Sequence, residues 1–226
     1  ILSKVSTRNW FGIDEQHPIC YTLNPYKHGY SPGFTSNVSG AAIAAYFSTL
    51  AIGTDNSASV QHPAANCSVV GMVATQGMIS RAGIMTNSAT QDRPGPMAQS
   101  VYDVAAMLSV IAGWDAEDLM TFRGVGHFPQ HDWSQDLKPG SLKGKRIGVL
   151  REMIYDGPAH AEARVIYERA LADMRQAGAF IVDPVLTGVD LKTQSSSAFI
   201  SSASYEQRAH QNVYLARLGA ATKWKS

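Results

Sequence analysis

Two short stretches of this sequence gather the residue types that acyl-transfer chemistry uses. The first is Ser31-Pro32-Gly33-Phe34-Thr35-Ser36-Asn37-Val38-Ser39-Gly40, and the second is Gly53-Thr54-Asp55-Asn56-Ser57-Ala58-Ser59-Val60-Gln61. Both supply hydroxyls that can serve as nucleophile or proton relay. Both are built of small residues, which let backbone N–H groups approach a ligand as closely as an oxyanion site requires. The same composition suits Ser/Thr-rich turns that cap helices, so composition and spacing leave the catalytic and the structural reading side by side. Other chemistries leave no signature. There is no Gly-x-x-x-x-Gly-Lys-Ser/Thr phosphate loop, no His-Glu-x-x-His, no Gly-x-Ser-x-Gly elbow and no Ser-x-x-Lys pair. His127 and His131 are four apart but flank Pro129 in a loop with no Cys or carboxylate cluster, so no metal and no cofactor are expected.

The elements that must position these stretches can be read from periodicity. The run Gly40–Leu50 is small and apolar and predicts a closely packed helix, followed by a short buried strand over Ala51–Asp55. The two hydroxyl-rich loops flank this pair and can therefore converge at one end of a sheet. Val69–Val73 is a second β-rich run. Residues 100–112 predict an amphipathic helix with Val101, Val104, Ala105, Leu108, Ile111 and Ala112 on one face, stopped by Gly113. Residues 114–145 read as a long polar surface connection. Arg146–Leu150, Ala159–Ala177 and Phe180–Val182 then predict strand, helix and strand, a βαβ unit with a right-handed crossover, its helix carrying Ile166, Ala170 and Met174 four apart.

Bulk properties narrow the class. With 45% hydrophobic and 16% charged residues the chain is globular. Its 19 basic and 18 acidic residues give no electrostatic footprint for nucleic acid, and no apolar run is long enough for a membrane span. Cys20 and Cys67 make no disulfide framework, so a reduced, cytoplasmic protein is the default expectation. The sequence opens at Ile1 without an initiator Met and closes at Ser226 just after a helical stretch, so truncation at both ends is expected.

From Asn24-Pro25-Tyr26 to Ala112-Gly113 the sequence resembles the amidase signature family. That family's pattern runs from Asn-Pro-Trp/Tyr through a Pro-Gly-Gly-Ser-Ser-Gly-Gly loop, an Ala-rich helix and Leu-Gly-Thr-Asp to Gly-Gly-Ser-Ile/Val-Arg. The segments Pro63-Ala64-Ala65-Asn66-Cys67-Ser68-Val69-Val70-Gly71, Ser80-Arg81-Ala82-Gly83-Ile84 and Gly95-Pro96-Met97-Ala98 continue it in order, and Gly144–Val149 and Tyr205–Glu206 fit further on. The resemblance implies an α/β fold, a mixed and largely parallel twisted sheet covered by helices. Residues 1–226 would form part of a single domain, with its signature core at about 24–113 and the βαβ unit at about 146–183.

The resemblance also implies a Ser–Ser–Lys mechanism. Ser59 matches the nucleophile, and the position 24 residues earlier, which in the family is a Ser preceded by a cis peptide bond, is Thr35, with Ser36 beside it. The backbone N–H groups of Asn56, Ser57, Ala58 and Ser59 match the family's oxyanion hole. The family's catalytic Lys falls ahead of Ile1, and Lys4 matches a non-catalytic Lys. Ser57-Ala58 stands where the family has Gly-Gly, which suits a negative φ only, and Gln61 stands where it has an Arg that would pair with Asp55. The implied activity is hydrolysis of the C–N bond of a small-molecule amide through a serine acyl-enzyme, and a homodimer stays open. Two alternatives stand beside it: a degenerate, non-catalytic member used for binding or assembly, and an amidotransferase subunit. Thr90-Gln91-Asp92 looks more like the stand-alone amidases than the amidotransferase subunits.

Overall fold

The computed structural model describes residues 22–128, 131–154, 157–191, 193 and 202–221. The described residues fall into two compact units, one of those up to Asp136 together with those from Ser202 to Ala221, the other of those between Leu137 and Thr193.

The first unit carries helices α1 (Asn37–Ala44), α2 (Gln61–Asn66) and α3 (Val101–Ile111), strands β1 (Leu50–Asp55), β2 (Val70–Gly71) and β3 (Arg93–Ala98), and, after the second unit, a long helix at Ala203–Leu218. The sheet order is β1-β3-β2, with β3 antiparallel to both neighbours. Its central strand, Arg-Pro-Gly-Pro-Met-Ala, escapes a sequence reading because proline is normally kept out of central strands. Pro94 and Pro96 are two apart, so their missing N–H groups point to one edge. The Pro96 carbonyl accepts the Met72 N–H at 3.0 Å, which marks that edge as the β2 side. There β2 pairs only with Met97 and Ala98, so the sheet asks for no N–H from Pro94. The strand beside β3 is complete, with β1 in register from Leu50↔Ala98 to Asp55↔Arg93.

The helix expected over Gly40–Leu50 begins earlier and stops earlier. It closes in a Schellman motif: Phe47 N–H bonds Ala42 C=O at 2.9 Å and Tyr46 N–H bonds Ile43 C=O at 3.1 Å, with Tyr46 left-handed at φ 60°. Glycine usually marks such a stop, and none is present, so the sequence hides it. Leu50 accordingly opens β1. Of the β-rich run Val69–Val73 only Val70–Gly71 is strand. Helix α3 agrees with its periodicity. Ser100 caps it by accepting the Asp103 N–H at 3.1 Å, and its hydroxyl donates to the Asp103 carboxylate at 2.6 Å, which closes the first turn. Val104 and Leu108 are its buried residues, and Leu108 packs with Ala74, Met78 and Ile79. The polar segment after Gly113 is more than a surface connection: its 3₁₀ turns at Leu119–Gly124 and Trp133–Asp136 bury Thr121 and Ser134, and Asp118 just ahead of the first is buried as well.

The second unit is the expected βαβ arrangement. Strands β4 (Arg146–Gly148) and β5 (Phe180–Val182) are parallel and in register, joined through helix α4 (Ala161–Gln176). Gly178 ends α4 at φ 90°, as its place in the sequence predicts. The packed stripe of α4 is rotated from the expected one. Leu171 is buried at 4% exposure and Met174 is half-buried, while Ile166 is 70% exposed and Ala170 is exposed. The mixed α/β class thus appears as an antiparallel sheet in one unit and a parallel pair in the other. Among the described residues no helix is long and apolar enough to cross a membrane. Cys20 and Lys4 lie outside the described residues.

Candidate active site

Ser59 sits in the turn between β1 and α2, and the sequence builds that turn from both ends. Asp55, the last residue of β1, is buried at 2% exposure, and its Oδ2 accepts the Val60 N–H at 2.8 Å. Val60 is fully buried against Ala64 and Met97, which seats the far end of the turn on the sheet. Between these anchors the N–H groups of Asn56, Ser57, Ala58 and Ser59 have no acceptor among the described residues. Four successive unbonded donors are what an anionic oxygen needs. Neither Ser57 nor Ala58 takes a positive φ, so replacing Gly-Gly here brings no backbone strain.

The loop before α1 meets this turn through backbone and side chain. Ser36 N–H bonds the Ser59 carbonyl at 3.2 Å. The Ser36 hydroxyl donates to the Thr54 carbonyl at 3.1 Å and accepts the Thr54 N–H at 3.0 Å. That pair of hydrogen bonds relies on glycine at position 53, since a Cβ there would lie 2.8 Å from Ser36 Oγ. Gly33 is required more strictly still: φ is 112° and a Cβ would fall 2.4 Å from Pro63 Cα. The peptide bonds around Thr35 are trans, where the resemblance implied a cis bond, and the cis peptide among the described residues is Asp183-Pro184.

A cavity of about 340 Å³ opens over this junction, lined by Thr35, Asn56, Ser57 and Ser59 on one side and by Thr86, Asn87 and Arg93 on another. Of the two hydroxyls considered for the relay, Thr35 lines the cavity, whereas Ser36 is 2% exposed and committed to Thr54. The Ser59 hydroxyl, in a residue 7% exposed, makes no hydrogen bond among the described residues. Ala58 is not among the cavity residues, though its N–H belongs to the same run. Gln61 is exposed and does not reach Asp55, whose partner across the sheet is Arg93. His62 is exposed and lies near the Phe34 ring.

Of the residues without an assigned role in the sequence reading, Arg81 lines the cavity and others brace the segments around it. Arg81 grips Asp118 with two nitrogens, Nε at 2.9 Å and Nη2 at 2.7 Å, which holds the Asp118 carboxyl down to about 2. Glu206, on the Ala203–Leu218 helix, binds Thr90 and Ser88, and those bonds, Thr90 first, hold its carboxyl at about 2. Burial pushes the Cys67 thiol up, and its Sγ donates to Pro32 O, so it behaves as core rather than as a nucleophile. No cluster of His, Cys, Asp or Glu that could hold a metal occurs among the described residues.

A family model described as Amidase matches residues 7–224. Over 163 residues the chain is 37% identical to a glutamyl-tRNA(Gln) amidotransferase subunit of Thermosynechococcus vestitus, a match that covers 72% of this chain and 33% of that protein. The corresponding protein of Microcystis aeruginosa is 38% identical over 160 residues, 71% of this chain and 32% of that protein. The chain spans about a third of the length of these curated relatives. Among solved structures, the native peptide amidase of Stenotrophomonas maltophilia superposes with a TM-score of 0.68 at 33% identity, over 87% of this chain and 38% of that one. An amidase family protein of Bacillus anthracis gives a TM-score of 0.72 at 33% identity, over 87% of this chain and 37% of that one. With the motif order, the topology and a match over nearly its whole length in agreement, the chain belongs to the amidase signature family.

Proposed function

We propose that this chain carries the nucleophile and oxyanion elements of an amide C–N hydrolase acting through an acyl-enzyme on Ser59. The observation that carries the reading is the Ser59 turn itself: a hydroxyl without a hydrogen-bond partner among the described residues, at the end of four unbonded N–H groups and facing one cavity. In this reading Ser59 Oγ attacks the amide carbonyl carbon, and the carbonyl oxygen becomes an oxyanion held by the N–H groups of Asn56 to Ser59. The Ser59 proton passes through the Thr35 hydroxyl to a base, a role the resemblance gives to a lysine. The same proton then returns to the amine as the C–N bond breaks, and water releases the acid by the reverse sequence. Thr35 is the relay rather than Ser36, because the Ser36 hydroxyl already serves the Thr54 backbone. The substrate class in this reading is a small-molecule amide; the Thr90-Gln91-Asp92 segment and the likeness to a peptide amidase support the stand-alone hydrolase.

A second reading, as one subunit of an amidotransferase, is favoured by the names of the curated relatives. Treating the protein with a fluorophosphonate tests the chemistry common to both. Label on Ser59 that is absent from Ser59→Ala supports it, and no label leaves the non-catalytic alternative standing. Co-purification with partner subunits would then favour the amidotransferase.

A further inference from the structure

Asp92 lies one residue ahead of β3, directly across from the turn that carries the free N–H groups. The register Asp55↔Arg93 continues by one step to place Asn56 opposite Asp92. The side chains complete that step, since Asn56 Nδ2 donates to Asp92 Oδ1 at 2.8 Å. The other carboxylate oxygen accepts the Asn87 N–H and, at 2.9 Å, the Ser88 N–H. Asp92 is 9% exposed, so these bonds form away from competing water.

The segment that Asp92 grips is itself held from behind. Ser88 is fully buried, donates to Glu206 Oε2 at 2.8 Å and accepts the Gln91 N–H at 3.1 Å. Thr90 N–H reaches the same Glu206 oxygen at 3.1 Å. Asn56 is the first residue of the unbonded run, and Asp55 ties only the far end of the turn, at Val60. At the near end, where β1 stops at Asp55, the further tie on Asn56 is its side-chain bond to a clamped carboxylate. Donors fixed before the reaction need no reorganisation when charge develops, and a charged acceptor holds them more firmly than a neutral one.

We infer that Asp92 is a positioning residue that fixes the near end of the oxyanion turn through the Asn56 side chain, an inference that rests on Ser59 as the nucleophile. It acts through Asn56 and touches no reacting atom.

The rate at which a fluorophosphonate phosphonylates Ser59 reads this directly, because the phosphoryl oxygen takes the place of the developing oxyanion. Asn56→Ala removes the carboxamide but leaves both backbone bonds to Asp92, so the protein should stay folded with its melting temperature lowered by only a few degrees. Its labelling should slow about tenfold. Asp92→Asn turns an amide NH₂ toward one of its donors and should slow labelling by a similar factor. The double variant should be no slower than the slower single, within about twofold, because both changes break one path. An unchanged labelling rate in Asn56→Ala, or single effects that multiply in the double variant, would overturn the inference while leaving Ser59 as nucleophile. No label on the unmodified protein would overturn the functional reading and this inference with it.

Discussion

The Ser59 turn and the βαβ unit hold themselves together by different kinds of contact. Around Ser59 the bonds run from polar side chains to backbone over long sequence separations: Asn24 to Asn66 O at 2.7 Å, Ser39 to Ile52 O at 3.0 Å, Gln99 to Ile43 O at 2.6 Å and Ser36 to Thr54. In the βαβ unit the ties are a parallel strand pair, a few buried apolar residues and an ion cluster in which Arg151 meets Asp183 and Glu168. The contrast has a physical reason. Small residues bring backbones close but bury little apolar surface, so a region built from them must be held by directional bonds. Among its described residues the βαβ unit buries only Val149, Leu171 and Ala179, and its ion pairs lie near the surface, where each contributes little.

The sharpest break between the regions is chemical. Ser59→Ala should lower amide turnover roughly 10³- to 10⁶-fold with little change in thermal stability. Turnover above a tenth of the unmodified value would remove Ser59 from the mechanism.

Thr35 and Ser36, adjacent in sequence, should separate next. Thr35→Val keeps the shape and removes the relay hydroxyl, so kcat should fall about 10²-fold or more while unfolding is unchanged. Thr35→Ser should keep activity. Ser36→Ala strips Thr54 of two buried bonds and should cost about 2 kcal/mol in urea unfolding. Equal activity in Thr35→Val would give the relay to Ser36 or to water.

Two ion pairs sharpen the comparison further. Asp118 is buried at 8% exposure and its folded pKa of about 2 lies below its unfolded value. Its contribution of about 2 kcal/mol is present above about pH 4 and is lost as pH falls toward 2. Arg81→Ala should remove that acid sensitivity and destabilise by roughly 3–5 kcal/mol, since it strands a buried carboxylate. An unaltered acid-unfolding profile would show that the pair does not govern it.

The smallest effect belongs to the βαβ unit. Arg151 also holds the carboxyls of Asp183 and Glu168 below the usual carboxylate range, yet Glu168 is exposed and Arg151 and Asp183 are only partly covered. Arg151→Ala should lower the melting temperature slightly in dilute buffer and not at all in about 1 M salt. A salt-independent fall would show that Arg151 packs rather than pairs.

Sequence alone determined the elements whose residues repeat with a period. The βαβ unit, α3 with its Gly113 stop, and the motif order that identified the family were all legible, because a helix or strand that buries one face must show that face at 3.6- or 2-residue intervals. Even there the phase could slip: α4 packs through Leu171 and Met174 and leaves Ile166 and Ala170 of the expected stripe exposed, since an exposed apolar residue is common and carries no label. Only the tertiary structure decided the rest. Tyr46 ends α1 without a glycine, and Pro94 and Pro96 occupy a central strand because its second neighbour is two residues long. The choice between Thr35 and Ser36, and the meeting of Asp92 with Asn56, depend on which hydroxyl or carboxylate finds a partner 18 or 36 residues away. No local pattern encodes such a meeting, because each partner is an ordinary polar residue until the sheet register sets them side by side.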